Sequence, residues 1–103
     1  MSINPDIKSI KQYSFFKQLK KLPFVEAIYL YGSRARGDFL EYSDIDLAIV
    51  CPNASTEDWF KIEEIIEEAA ILNKIELKRY DKLKNDLFKK QIDKYKKVLY
   101  AKN

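Results

Sequence analysis

With 103 residues the chain is long enough for one hydrophobic core and too short for two, so residues 1–103 are expected to form a single domain. Its 47% hydrophobic and 34% charged content, with seven Tyr, six Phe and one Trp, excludes a disordered chain, and the absence of histidine excludes Ser–His hydrolase chemistry, His-ligated zinc and an imidazole base. The net charge of +3 divides into +5 over residues 1–37, −9 over 38–73 and +7 over 74–103, so an acidic centre lies between basic ends.

Taken in chain order, Ile7, Ile10, Phe15, Leu19 and Leu22 recur at mostly helical intervals, which predicts a helix from Ile7 to Leu22 with Asp6 or Asn4 as its cap. Pro23 ends it. Val25 to Tyr31 is β-branched and aromatic with one charge, Glu26, and reads as a strand. Both glycines of the chain then bracket Gly32-Ser33-Arg34-Ala35-Arg36-Gly37, a turn whose centre favours a short helix. Asp44 to Val50 reads as a second strand closed by Pro52. Ser55 and Asp58 have the spacing of a capping box and open a helix with Trp59, Ile62, Ile66, Ala69 and Ala70 inward. Ile75 to Tyr80 is a third strand with Glu76, Lys78 and Tyr80 on one face. Leu83, Leu87, Phe88, Ile92 and Tyr95 mark a last helix, and Val98-Leu99-Tyr100 a short terminal strand. This alternation predicts an α/β (α+β) fold, a small mixed β-sheet flanked by helices.

Neither a leader pattern nor a run of about 18 apolar residues is present, and the lone Cys51 has no disulfide partner within the chain. A reducing, cytoplasmic location with no membrane contact is therefore expected. Cys51 ends the run Leu47-Ala48-Ile49-Val50 and reads as a buried thiol. The C-terminal lysines are interleaved with a helical apolar period and read as an exposed face, so nucleic acid is not an expected partner.

The chemistry concentrates in two places. Asp44 and Asp46, two apart on a strand, project the same way with Cα atoms about 6.5–7 Å apart, so their oxygens can converge on Mg²⁺. Asp46 stands in an otherwise apolar strand, where a carboxylate needs a metal or a cation beside it. Upstream, Gly32 lets the backbone come close to a phosphate, which the Ser33 hydroxyl and nearby N–H groups can meet. Arg34 and Arg36 share that turn, where a guanidinium can hold phosphate or pair with Asp38 or Asp44. Arg34 is expected to be exposed, and Tyr29, Tyr31 and Trp59 to be packing residues.

Gly32-Ser33, ten residues, then Asp44-x-Asp46 resembles the signature of the DNA polymerase β-like nucleotidyltransferase superfamily. Tyr31 to Gly37 followed by Ser43-Asp44-Ile45-Asp46-Leu47 is similar to its minimal nucleotidyltransferase (MNT) branch. The resemblance implies a nucleotidyltransferase fold with Gly32, Ser33, Arg36 and Ser43 around the nucleotide and Asp44 and Asp46 as metal ligands. It puts the third carboxylate at Glu76, where family members usually carry Asp. It also implies Mg²⁺ as cofactor, ATP or another NTP as substrate, and a helical HEPN-domain toxin as partner in a hetero-oligomer, the chain acting as antitoxin by adenylylating a toxin tyrosine. Two further readings stay open: a module that neutralises a HEPN partner by contact alone, and a transferase acting on a small molecule.

Overall fold

In the computed structural model, which describes residues 7–40 and 43–102, the expected first helix is two. Helix α1 (Ile7–Gln12) and helix α2 (Ser14–Lys21) are divided at Tyr13, whose backbone is extended at φ −68° and ψ 145°. The apolar spacing explains the break. Ile10 and Phe15 are five residues apart, about 140° out of phase on an unbroken helix, and the interruption lets Ile10, Phe15, Phe16 and Leu19 all enter one core. The expected caps Asn4 and Asp6 lie outside the described residues.

Four strands follow, β1 (Ala27–Tyr31), β2 (Ile45–Val50), β3 (Ile75–Arg79) and β4 (Lys97–Ala101). They are ordered β3-β2-β1-β4, with β2 and β3 parallel and the other two pairings antiparallel, so the sheet is mixed, as expected. A parallel pair needs a crossover, and helix α4 (Thr56–Glu67) supplies it. Its capping box forms as the sequence suggests: the Asp58 N–H donates to Ser55 Oγ at 3.1 Å and the Ser55 N–H to Asp58 Oδ2 at 3.0 Å. The helix stops at Glu67, so Ala70, expected to face inward, is exposed instead.

The two faces of the sheet bury different partners. Ile28, Leu30, Ile45, Leu47 and Ile49 pack against Ile10, Phe16, Leu19 and Ile62 from α1, α2 and α4. On the opposite face, Tyr29, Tyr31 and Ala48 meet Phe88 and Ile92 of helix α5 (Asp86–Tyr95). Strand alternation sets Asp46 and Glu76 on this second face, level with Tyr31. Within α5 the expected apolar stripe is only partly used. Ile92 is buried and Phe88 half-buried, but Leu87 is 76% and Tyr95 40% exposed, because Leu87 is turned about 100° from Phe88 on the helix.

Strand β4 borders β1 with a register shift between Ile28 and Tyr29, and Leu99, the unpaired residue opposite, turns into the main core. No helix among the described residues is long and apolar enough to cross a membrane.

Candidate active site

Three carboxylates converge because two strands hold them in register. Asp44 immediately precedes β2 and Asp46 lies two residues on, on the same side. Asp46 is the Cα partner of Glu76 in the parallel β3 and of Tyr31 in β1. One oxygen from each of Asp44, Asp46 and Glu76 lies within 4.8 Å of the others, and all three residues are half-buried. Burial first, then repulsion from Glu76 and Asp44, pushes the Asp46 carboxyl up to about 6, against a weaker opposing pull from Arg36 and Arg34. That residual negative charge on clustered hard oxygens is a donor set suited to a divalent cation such as Mg²⁺. Burial, with the charges of Asp46 and Glu76, also drives the Tyr31 phenol well above its ordinary value, which keeps it neutral beside the acids.

The glycine turn closes over this cluster. Gly32 has φ 74° and ψ −157°, a conformation open to glycine, and a Cβ built on it would run into Asp46 Oδ2. Helix α3 (Ser33–Arg36) follows at once and ends at Gly37, whose φ of 94° is left-handed; the N–H groups of Gly37 and Asp38 both donate to the Ser33 carbonyl. Gly32 thereby sits directly beside Asp46, and Ser33 follows it in the chain.

The two arginines of the turn part company. Arg36 is exposed and pairs with Asp38 at 3.4 Å, one of the partnerships expected from the sequence. Arg34 is not the exposed charge expected: it is 5% exposed, lies over the Phe39 ring at 4.6 Å, and donates from Nη2 to the Ser43 carbonyl at 3.0 Å. Asn73 Nδ2 donates to the same carbonyl at 3.2 Å. Ser43 Oγ accepts from the Leu40 N–H at 2.8 Å, so both oxygens of Ser43 fix the chain that leads into Asp44. Arg34 and Asn73 were missed as site-building residues. An arginine with an aromatic five residues on is the only local signal for the first, and Asn73 leaves none.

At the far end of β2 a second polar cluster ties the same two strands together. Arg79 donates to Asp81 at 3.1 Å and to the carbonyls of Cys51 and Ala54, each at 2.9 Å, while Asp81 Oδ1 accepts the Cys51 N–H at 2.8 Å. Cys51 is fully buried, as expected, and burial followed by the charge of Asp81 raises its thiol to about 11, which leaves it without nucleophilic character.

Comparison with known proteins agrees with this fold. Residues 14–103 match the family model described as polymerase beta, nucleotidyltransferase, a span that includes the glycine turn and all three acids. Three solved structures of toxin–antitoxin complexes are similar in fold. One, a complex with AMP-PNP, is 19% identical, with TM-score 0.65 over 86% of this chain and 73% of that one. A mutant MntA–HpeT complex is 25% identical, with TM-score 0.61 over 84% of this chain and 70% of that one. The third, a tri-AMPylated Shewanella oneidensis HEPN toxin with its MNT antitoxin, is 18% identical, with TM-score 0.58 over 92% and 68%. No curated protein matches the sequence.

Proposed function

Because the chain belongs to the polymerase beta nucleotidyltransferase family, we propose that it transfers AMP from ATP to a tyrosine of a HEPN toxin and thereby acts as that toxin's antitoxin. The observation that carries this reading is the meeting of Asp44, Asp46 and Glu76 within 4.8 Å, beside Gly32. The complexes with AMP-PNP and with an AMPylated HEPN toxin among the similar structures support the nucleotide and the partner.

In this reading the acceptor hydroxyl attacks the α-phosphorus in line, a new P–O bond forms, the bond to the β-phosphate oxygen breaks, and pyrophosphate leaves. Asp44, Asp46 and Glu76 would hold Mg²⁺, which when bound offsets charge on the phosphates. Glu76 also orients the acceptor hydroxyl and takes its proton. Gly32 gives the phosphates close access to the backbone, Ser33 donates its hydroxyl to them, and the exposed Arg36 can leave Asp38 to pair with a phosphate oxygen. Ser43, with its hydroxyl engaged by Leu40, serves by holding Asp44 in place. The whole of residues 1–103 works as one domain, and the HEPN toxin completes the acceptor side.

The test is transfer of label from α-labelled ATP with Mg²⁺ onto the toxin, comparing wild type with Asp46→Asn and Glu76→Gln. Label lost in both variants supports the reading. A stable complex without label in wild type overturns it.

A further inference from the structure

We propose that the outer edge of β3, with the groove between it and α4, takes up an extended basic segment of the partner polypeptide as an added strand; that the partner is a protein rests on the reading above. Among the described residues β3 has β2 as its one strand neighbour and so borders the sheet. The Ile45 N–H donates to the Lys74 carbonyl at 2.8 Å, and backbone groups alternate in direction along a paired strand. Those of Lys74, Glu76 and Lys78 therefore turn to β2, and those of Ile75 and Leu77 point away from it. Such an edge is a template for pairing, which native proteins blunt with bulges or proline among other devices. The opposite edge, β4, has its register shift, whereas β3 follows β2 from Ile75 to Arg79 without one.

The groove measures about 550 Å³, and its charge decides what it receives. Glu63, Glu64 and Glu67 of α4 line it together with Glu76, four carboxylates against one cation, Lys74. The three on α4 are exposed and have no ion pair among the described residues. Glu64 and Glu67 fall in the last turn of the helix, which has no basic residue and whose end already carries partial negative charge. Glu63 and Glu67 are also a like-charged i, i+4 pair, which weakens a helix. The chain thus holds these charges against its own stability, and a cationic segment lying in the groove offsets them. Phe60, 59% exposed, adds an apolar contact in the same lining.

Strand alternation assigns the faces of the added segment. Ile75 and Leu77 send their side chains to the α4 side of the sheet, and Glu76 sends its own to the other side, with Asp46. Incoming residues level with Ile75 and Leu77 accordingly meet the glutamates and Phe60, and the fitting chemistry there is Lys, Arg or an apolar chain. The residue between them points to the side that carries the acids, where an acceptor hydroxyl is needed. Main-chain pairing gives such a segment its grip and the alternate side chains its selectivity.

The probe is a fluorescein-labelled peptide, Lys-Thr-Leu-Tyr-Lys-Thr-Lys, titrated with the full chain and read by anisotropy. A second peptide replaces each Lys by Glu, and two more carry N-methyl groups on alternate residues, one on the odd and one on the even positions. The basic peptide is expected to bind at least about tenfold more tightly than the acidic one, and less tightly as salt is added. One N-methylated peptide should lose binding and the other keep it, since alternate N–H groups face the sheet. Glu64→Lys with Glu67→Lys should weaken the basic peptide about tenfold, Phe60→Ser should weaken it as well, and the double variant should raise KM for the toxin while kcat holds. Equal binding of the basic and acidic peptides, N-methyl patterns that act alike, or affinities indifferent to these variants overturn the inference. So does self-association of the chain that Phe60→Ser abolishes, which would make a second copy the occupant. Label reaching the toxin at an unchanged KM in the double variant overturns this inference alone. Wild type that binds the basic peptide and labels no toxin fails the transferase reading and leaves the strand site standing.

Discussion

Gly32 lies so close to Asp46 that a Cβ on the glycine would meet Oδ2 and stand 3.0 Å from Cγ. Backbone freedom and side-chain clearance are therefore required at one position. Gly32→Ala should lower stability by about 1–3 kcal/mol through its positive φ, and abolish AMP transfer because Asp46 must swing away. Thermal melting and label transfer measure the two effects. Full transfer in the variant would reduce Gly32 to an ordinary turn residue.

Asp46→Asn is expected to stabilise the metal-free chain while removing activity. The folded carboxyl titrates near 6 against an ordinary 3.8, so the folded state holds this proton more tightly than the unfolded one. Stability from this group is then present below about pH 4 and is lost as pH rises through about 6. The amide carries no such dependence. The difference in Tm between variant and wild type should be small at pH 4 and reach its full size at pH 7, where added Mg²⁺ should raise wild type more than the variant. A variant less stable than wild type at pH 7 would mean that attraction to Arg34 and Arg36 outweighs burial and repulsion.

Arg34 is expected to act through the loop and not through the nucleotide. Arg34→Ala should cost about 2–3 kcal/mol, since it strips charged donors from a carbonyl inside the fold. Arg34→Lys should recover only part of that, because an ammonium cannot reproduce the planar fork or its stacking on Phe39. Urea unfolding of the three proteins gives the order. Full stability in the alanine variant would show that Asn73 alone secures Ser43.

Arg79 and Asp81 should behave as a coupled pair. Their side chains are only 16% and 13% exposed, and a double-mutant cycle with Arg79→Ala and Asp81→Ala is expected to give a coupling of about 1–3 kcal/mol. Cys51 reports the same clamp: alkylation of its thiol should be slow in wild type and faster in Asp81→Ala. Additive losses would mean that the two residues serve separate partners.

Much of the site is legible in the sequence because its chemistry depends on local spacing. An i, i+2 pair of aspartates on a strand and a glycine beside a serine keep their meaning wherever the strand lies, and the capping box at Ser55 and Asp58 is equally local. What the sequence conceals is decided between distant segments. The break at Tyr13 answers to a core that Ile10 and Phe15 must share. The burial of Arg34 depends on Phe39 and on the Ser43 carbonyl, and Asn73 arrives there from beyond α4. Leu87 continues an apolar period that α5 does not use, since the side of the helix that carries Phe88 and Ile92 is the one that meets the sheet.

The register of β2 against β3 acts as a ruler for the acids. Adjacent strands stand about 4.8 Å apart, and the Ile45 N–H bound to the Lys74 carbonyl sets where that spacing begins. The gap between the carboxyl groups of Asp46 and Glu76 therefore follows from the hydrogen-bond ladder and from side-chain length alone. Exchanging aspartate and glutamate at position 76 would move one carboxyl by about a single C–C bond and leave the ladder untouched. Slipping β3 by one residue would carry that acid to the opposite face, among Leu30, Leu47 and Ile49. Substitution can thus tune this site in small steps, whereas a shift in pairing would remove it altogether.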